Sequence, residues 1–209
     1  MVQPPTLNPY PVNLAVDYEE ADRNRLTIAF RIFTVLPILI VLTLVGGAPI
    51  NFGYGLIGAA GGILFLPLVL MLLFRTKYPA WWFDFNFNLV RFGNRVFAYL
   101  FLLRDEYPST DEEQAVHVQL PDPHGGTGLN RWLPLVKWFL AIPHYIVLLV
   151  LYIAALVVSL IGWFVVLFTG RYPRSLHYFV VGILRWSVRV QAYAFVLVTD
   201  RYPPFQLGP

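Results

Sequence analysis

Apolar residues run in long blocks along this chain, and the polar residues between the blocks recur in the same order twice. Ile28 to Val45 is apolar apart from Arg31 and two threonines, and Tyr54 to Phe74 is apolar again. Trp132 to Phe168 is almost continuously so. A membrane-crossing helix needs about 20 such residues, so the pattern predicts spans over about 28–45 and 54–74. One helix over residues 132–168 would be about 55 Å long at 1.5 Å per residue, too long for a bilayer. Two shorter spans, about 132–151 and 154–168, joined by a tight turn near Tyr152 to Leu156, fit better. Val12, Leu14, Val16 and then Val116, Val118, Leu120 alternate with other residues and predict two short strands.

The repeated polar landmarks divide the chain into two copies of one unit. Asn24-Arg25 matches Asn130-Arg131, Arg31 matches Lys137 and Pro37 matches Pro143, each 106 residues apart. Further on, Tyr78-Pro79 matches Tyr172-Pro173, Arg91 matches Arg185, Arg95 matches Arg189 and Ala98-Tyr99 matches Ala192-Tyr193, each 94 apart. The first copy therefore carries about a dozen extra residues, placed in the glycine-rich stretch VGGAPINFGYG. Unit one covers residues 1–108. Residues 109–130, charged and rich in proline and glycine, form a linker with a short strand. Residues 131–209 complete unit two.

Each copy continues past its spans into a segment of another kind, about 79–103 and 173–198. Proline stands at its start, where a first helical turn tolerates it. Asp84, Asn88, Arg91 and Arg95 make one polar stripe at helical spacing, with Trp and Phe on the rest of the surface. That is the pattern of an amphipathic helix lying in a membrane interface. A tilted third span with its arginines turned to a cavity is the competing reading.

Composition moves this from a greasy protein to a membrane protein. The chain is 57% hydrophobic and 13% charged, with a mean hydropathy of +0.61, against about 25% charged in soluble domains. A net charge of +3, with basic residues beside apolar segments, points to a membrane surface and away from nucleic acid. The absence of cysteine excludes disulfides, thiolate catalysis and cysteine metal sites. The N-terminal residues are polar, proline-rich and acidic, so the first hydrophobic helix is expected to be an uncleaved anchor. With a hairpin in each unit, all fifteen Lys and Arg fall on one side. The positive-inside bias then places both termini in the cytoplasm. The expected fold class is an all-α integral membrane protein: two tandem transmembrane hairpins, each with an interfacial helix, and small strands on the cytoplasmic side.

The order NRL or NRW, then LAIPHYIVL, FTGRYPRSL and GILRWSVRVQAYAFVLVTDRYPPF, resembles a bacterial membrane family catalogued as domain of unknown function four-three-eight-nine. The resemblance covers almost the whole chain and is closer in the second copy. It implies a membrane location in bacteria and brings no activity and no catalytic residue; the localisation expected for the chain is the bacterial inner membrane.

The candidate lipid- or anion-binding residues are Arg31, Lys137, Arg91, Arg95, Arg185 and Arg189. Arg31 and Lys137 sit at matching places and would hold an anionic lipid headgroup, or else snorkel to the interface. The other four carry guanidinium groups suited to phosphate, or serve general attraction to an anionic leaflet. His144 is the one residue placed to meet a porphyrin, although its counterpart is Ile38 and no metal-ligand spacing surrounds it. No cofactor or metal is expected, and no nucleophile, base and orienting group assemble from spacing. The reading is a non-catalytic accessory or scaffold subunit, with other integral membrane proteins and anionic lipids as partners. The alternative is a transporter or channel-like protein for lipid or a small anion.

Overall fold

A computed structural model describes residues 10–20, 23–46 and 65–209. In chain order it contains β1 (Asn13–Val16), α1 (Arg25–Ala29), α2 (Arg31–Val45), α3 (Phe65–Arg75), α4 (Ala80–Leu100), β2 (Val116–Gln119), α5 (Pro134–Leu140), α6 (Ile142–Thr169) and α7 (Arg174–Ala194). The protein is mostly helical. Among the described residues one helix, α6, is long and apolar enough to cross a membrane.

Local chemistry sets the boundaries. Asn24 caps α1, its side-chain oxygen accepting from the backbone N–H of Leu26 at 3.0 Å. Pro79 and Pro173 are extended and precede α4 and α7. Gly170 ends α6 in the left-handed region, φ 77°, and its N–H donates to Val166. The two strands pair antiparallel, with Leu14 opposite Val118, as the alternation of buried and exposed residues predicts.

Two long helices form the middle layer. Arg23, by its backbone N–H, donates to Gly170 just before α7, and by its side chain to Leu103 just after α4. At the other end Tyr78, just before α4, donates its hydroxyl to the carbonyl of Val196, just after α7, at 2.7 Å. Each helix thus begins where the other finishes, and the two run antiparallel. The sheet covers one side of them, β1 against α7 and β2 against α4. On α4 sits α2, through Val35, Ile38 and Leu42 against Leu89, Phe92 and Val96. On α7 sits α6, through Ala141 and Leu148 against Trp186, Val190 and Tyr193.

Three expectations are corrected. The turn near Tyr152 to Leu156 is absent, and α6 runs uninterrupted for 28 residues, about 42 Å. Tyr152 to Leu156 holds two alanines and no glycine or proline, so nothing there favours leaving a helix. The break falls instead at Ala141, between α5 and α6 and two residues before Pro143, whose ring clashes with the carbonyl four residues back. At the sequence offsets above, α2 aligns with residues 137–151 and α3 with residues 159–169. The residues that match α2 therefore divide between α5 and α6, and those that match α3 form the end of α6.

The first expected span is also shorter. Phe30, with ψ at 7°, separates α1 from α2, which has 15 residues. Of the second expected span, residues 54–64 lie outside the described residues, as do residues 47–53 of the glycine-rich stretch before it. Finally, the arginine stripes of α4 and α7 turn inward toward their C-terminal ends, although Asp84 and Asn88 of the α4 stripe are exposed and Arg91 and Arg185 are half-buried. Arg95 and Arg189 are buried against loops and strands of the same protein.

Candidate functional site

The matching cations Arg31 and Lys137 each sit in a closed centre. Arg31, 2% exposed, donates to the carbonyls of Tyr99 and Arg104, each at 3.1 Å, and pairs with Asp105. Its guanidinium lies 4.3 Å from the centre of the Tyr99 ring. Arg23 reaches the same carboxylate at 3.3 Å, so one Asp105 serves two buried arginines. The α2 stripe Arg31, Val35, Ile38, Leu42 faces α4, and this carries Arg31 inward with its apolar neighbours.

Lys137, 1% exposed, donates to the Thr199 carbonyl at 2.7 Å and to Asp200 at 2.6 Å. Its ammonium lies 5.2 Å from the Tyr193 ring centre. The other oxygen of Asp200 accepts the backbone N–H of Asn130 at 2.6 Å. The two centres share their chemistry: a cation, a carboxylate, a carbonyl and a tyrosine face. A positive φ at Leu102 (63°) and Leu197 (57°) turns the chain back after each helix so that these carbonyls and carboxylates come within reach.

The other four arginines divide. Arg185 donates from Nε to the Leu14 carbonyl at 2.8 Å and from a terminal nitrogen to Leu207 at 3.0 Å. Arg189, 1% exposed, donates to Val12 at 3.3 Å. Arg95 donates to the Ser109 carbonyl at 2.8 Å. Arg91 is half-buried, 5.9 Å from the Phe87 ring centre. Burial is the main cause that pushes Arg23, Arg95, Arg185 and Arg189 below the usual arginine range. Arg31, Lys137, Arg95, Arg185 and Arg189 thus bind backbone carbonyls or carboxylates of the chain itself. Phosphate would have to displace those partners.

Residues 132–206 match the family described as Domain of unknown function (DUF4389). No curated protein and no solved structure matches the chain. The matched segment holds the whole Lys137–Tyr193–Asp200 centre, while the Arg31 centre lies outside it. It also contains α6 and α7, and with them His144.

His144 is fully buried at the start of α6. Its Nδ1 accepts the indole N–H of Trp186 at 3.0 Å, and its ring stacks on Phe205 with centroids 3.9 Å apart. With Nδ1 taken by Trp186, the neutral ring carries its proton on Nε2, which is buried with no hydrogen-bond partner among the described residues. Among the described residues no group of three His, Asp or Glu side chains is placed to hold a metal ion.

One opening separates α4, α6 and α7. It is a cavity of ≈ 560 Å³, and Gly93, Phe97, Tyr145, Leu149, Tyr152 and Phe195 are among the residues that line it. Tyr152 donates its hydroxyl to Ser187 at 2.8 Å on its wall. The Tyr145 hydroxyl is buried with no partner among the described residues. Sequence reasoning missed Arg23, Asp105 and Asp200 as members of the cation centres. The recurrence of Asp-X-Tyr-Pro at residues 105–108 and 200–203 was the available signal.

Proposed function

We propose that the chain is a membrane-bound, non-catalytic scaffold or accessory subunit of a bacterial membrane complex, packing against partner helices and anionic lipid. The observation that carries this is the outward face of α6. Its most apolar stretch has a mean hydropathy of 2.8, yet only 22% of it is buried. A core helix of a water-soluble protein would hide that surface, so acyl chains or partner helices are its natural neighbours. The engagement of Ser187 by Tyr152 and of His144 by Trp186 favours a structural role over catalysis.

The cavity supports a second reading, lipid handling. Its exposed wall is mostly apolar, and while Tyr152 and Ser187 bond each other the Tyr145 hydroxyl lacks a partner among the described residues, which suits an acyl chain rather than a small anion. Gentle-detergent purification from the native membrane, followed by native mass spectrometry, separates the two. Partners at fixed stoichiometry support the scaffold. A monomer or homo-oligomer that retains one defined lipid overturns the scaffold in favour of lipid handling.

A further inference from the structure

Every exposed residue of α6 from Ile142 to Phe168 is apolar. Ile146, Ile153 and Leu160 mark the middle of that face, each more than half exposed. α2 turns the same kind of face outward with Ile32, Phe33 and Ile40. On the sheet, by contrast, Asp17, His117 and Gln119 are exposed at or beside the strands.

The arrangement of α6, α7 and β1 decides how such a body meets a bilayer. A four-residue turn, 170–173, joins α6 to α7, and Trp186 meets His144 toward the other end. The two helices are therefore antiparallel neighbours. β1 lies along another face of α7: His177 bonds the Val16 carbonyl, Arg185 that of Leu14 and Arg189 that of Val12. At 3.6 residues per turn these three side chains centre about 120° round the helix from Trp186, Val190 and Tyr193. If α6 crossed the bilayer, α7 and β1 would go to the same depth. Asp17, His117 and strand edges would then sit in hydrocarbon, where exposed backbone groups and charges are not tolerated.

Charge agrees. Exposed Arg131 precedes α5, and exposed Arg171 and Arg174 follow α6, with Arg174 paired to the exposed Glu20 carboxylate. A crossing α6, lacking the expected turn, would put these on opposite sides, against the positive-inside bias. Lying flat, both ends reach one headgroup layer. Trp132 and Trp138, both exposed on or next to α5, suit that interface.

We infer that α2, α5 and α6 lie flat in a single leaflet, with acyl chains against their apolar faces, anionic headgroups at Arg131, Arg171 and Arg174, and the sheet in water. This rests on the membrane reading above and replaces crossing with in-plane seating.

The chain has no cysteine, so single-cysteine variants of the full-length protein report cleanly. Ile146→Cys, Ile153→Cys and Leu160→Cys place spin labels along the exposed face of α6. They would be reconstituted in vesicles of phosphatidylethanolamine and phosphatidylglycerol, and depth read from oxygen and nickel-chelate accessibility. In-plane seating gives three equal depths, about 5–10 Å into the headgroup and acyl boundary. Crossing gives depths that differ by up to about 10 Å between successive labels and overturns the inference. Three water-exposed labels on protein that does not float with vesicles overturn the membrane reading as well. A membrane-impermeant maleimide on Arg131→Cys and Arg174→Cys gives an independent check. Reaction of both from the same side is expected, and reaction from opposite sides refutes in-plane seating.

Discussion

Replacing Asp105 by asparagine leaves Arg23 and Arg31 buried without their shared carboxylate, while the carbonyl contacts of both remain. Removing one partner of a buried ion pair costs about 3–5 kcal/mol. For a protein of this size about 2–4 °C of melting temperature accompanies each kcal/mol, so D105N should melt about 6–20 °C lower in detergent. D200N makes the matching change at Lys137, but with a different escape. An ammonium can shed its proton, whereas a guanidinium stays charged. Burial already lowers the Lys137 pKa and Asp200 opposes that, so D200N lets it fall further. The folded pKa then lies below the unfolded value of about 10.4, the unfolded state binds more protons, and stability rises with pH. Thermal melts at pH 7 and pH 9.5, each referenced to wild type, should show the D200N deficit shrinking while the D105N deficit stays. Equal deficits at both pH values, or a D105N protein within about 0.5 kcal/mol of wild type, would refute the assignment of these centres as buried charge pairs.

Arg185→Gln removes charge-assisted bonds to Leu14 and Leu207. It should cost about 1.5–3 kcal/mol and raise hydrogen exchange in β1 and the C-terminal tail before any change in α6. His177 is fully buried, bonded to the Val16 carbonyl, and burial is the main cause that lowers its pKa. Its contribution is intact above the unfolded value of about 6.5 and lost as pH falls below it; His177→Gln should flatten the acid limb of the stability profile, measured by denaturant melts from pH 7.5 to 5. A Cβ at Gly162 would stand 2.4 Å from the Tyr172 ring. Gly162→Ala should therefore cost about 1–3 kcal/mol by overpacking, read as a lower denaturant midpoint at unchanged slope.

Helices α4 and α7 were legible because proline marks each start and the polar stripe gives the period; the expected 79–103 and 173–198 enclose the observed helices. The strands were legible because Val12, Leu14, Val16 and their counterparts alternate. The continuity of α6 was not. Where nearly every residue from 142 to 168 is apolar, periodicity carries no information about faces, and only length suggested a turn. The direction of the arginines was hidden for another reason. Spacing shows that Arg185 and Arg189 share a side of α7, but their acceptors, Leu14 and Val12, come from the far end of the chain. The cation centres were half legible: Arg31 and Lys137 stood out by recurrence, while no spacing tied Asp105 and Asp200 to them.

β1 has a consequence for how the protein is made. β1 docks on α7, so it must wait while some 170 residues are added, about 10–30 s at ordinary translation rates. Until then the Val12, Leu14 and Val16 carbonyls lack the side chains that receive them. Synthesis of α7 is the event that fastens β1, and a ribosome stalled before residue 174 would leave a chain unable to close.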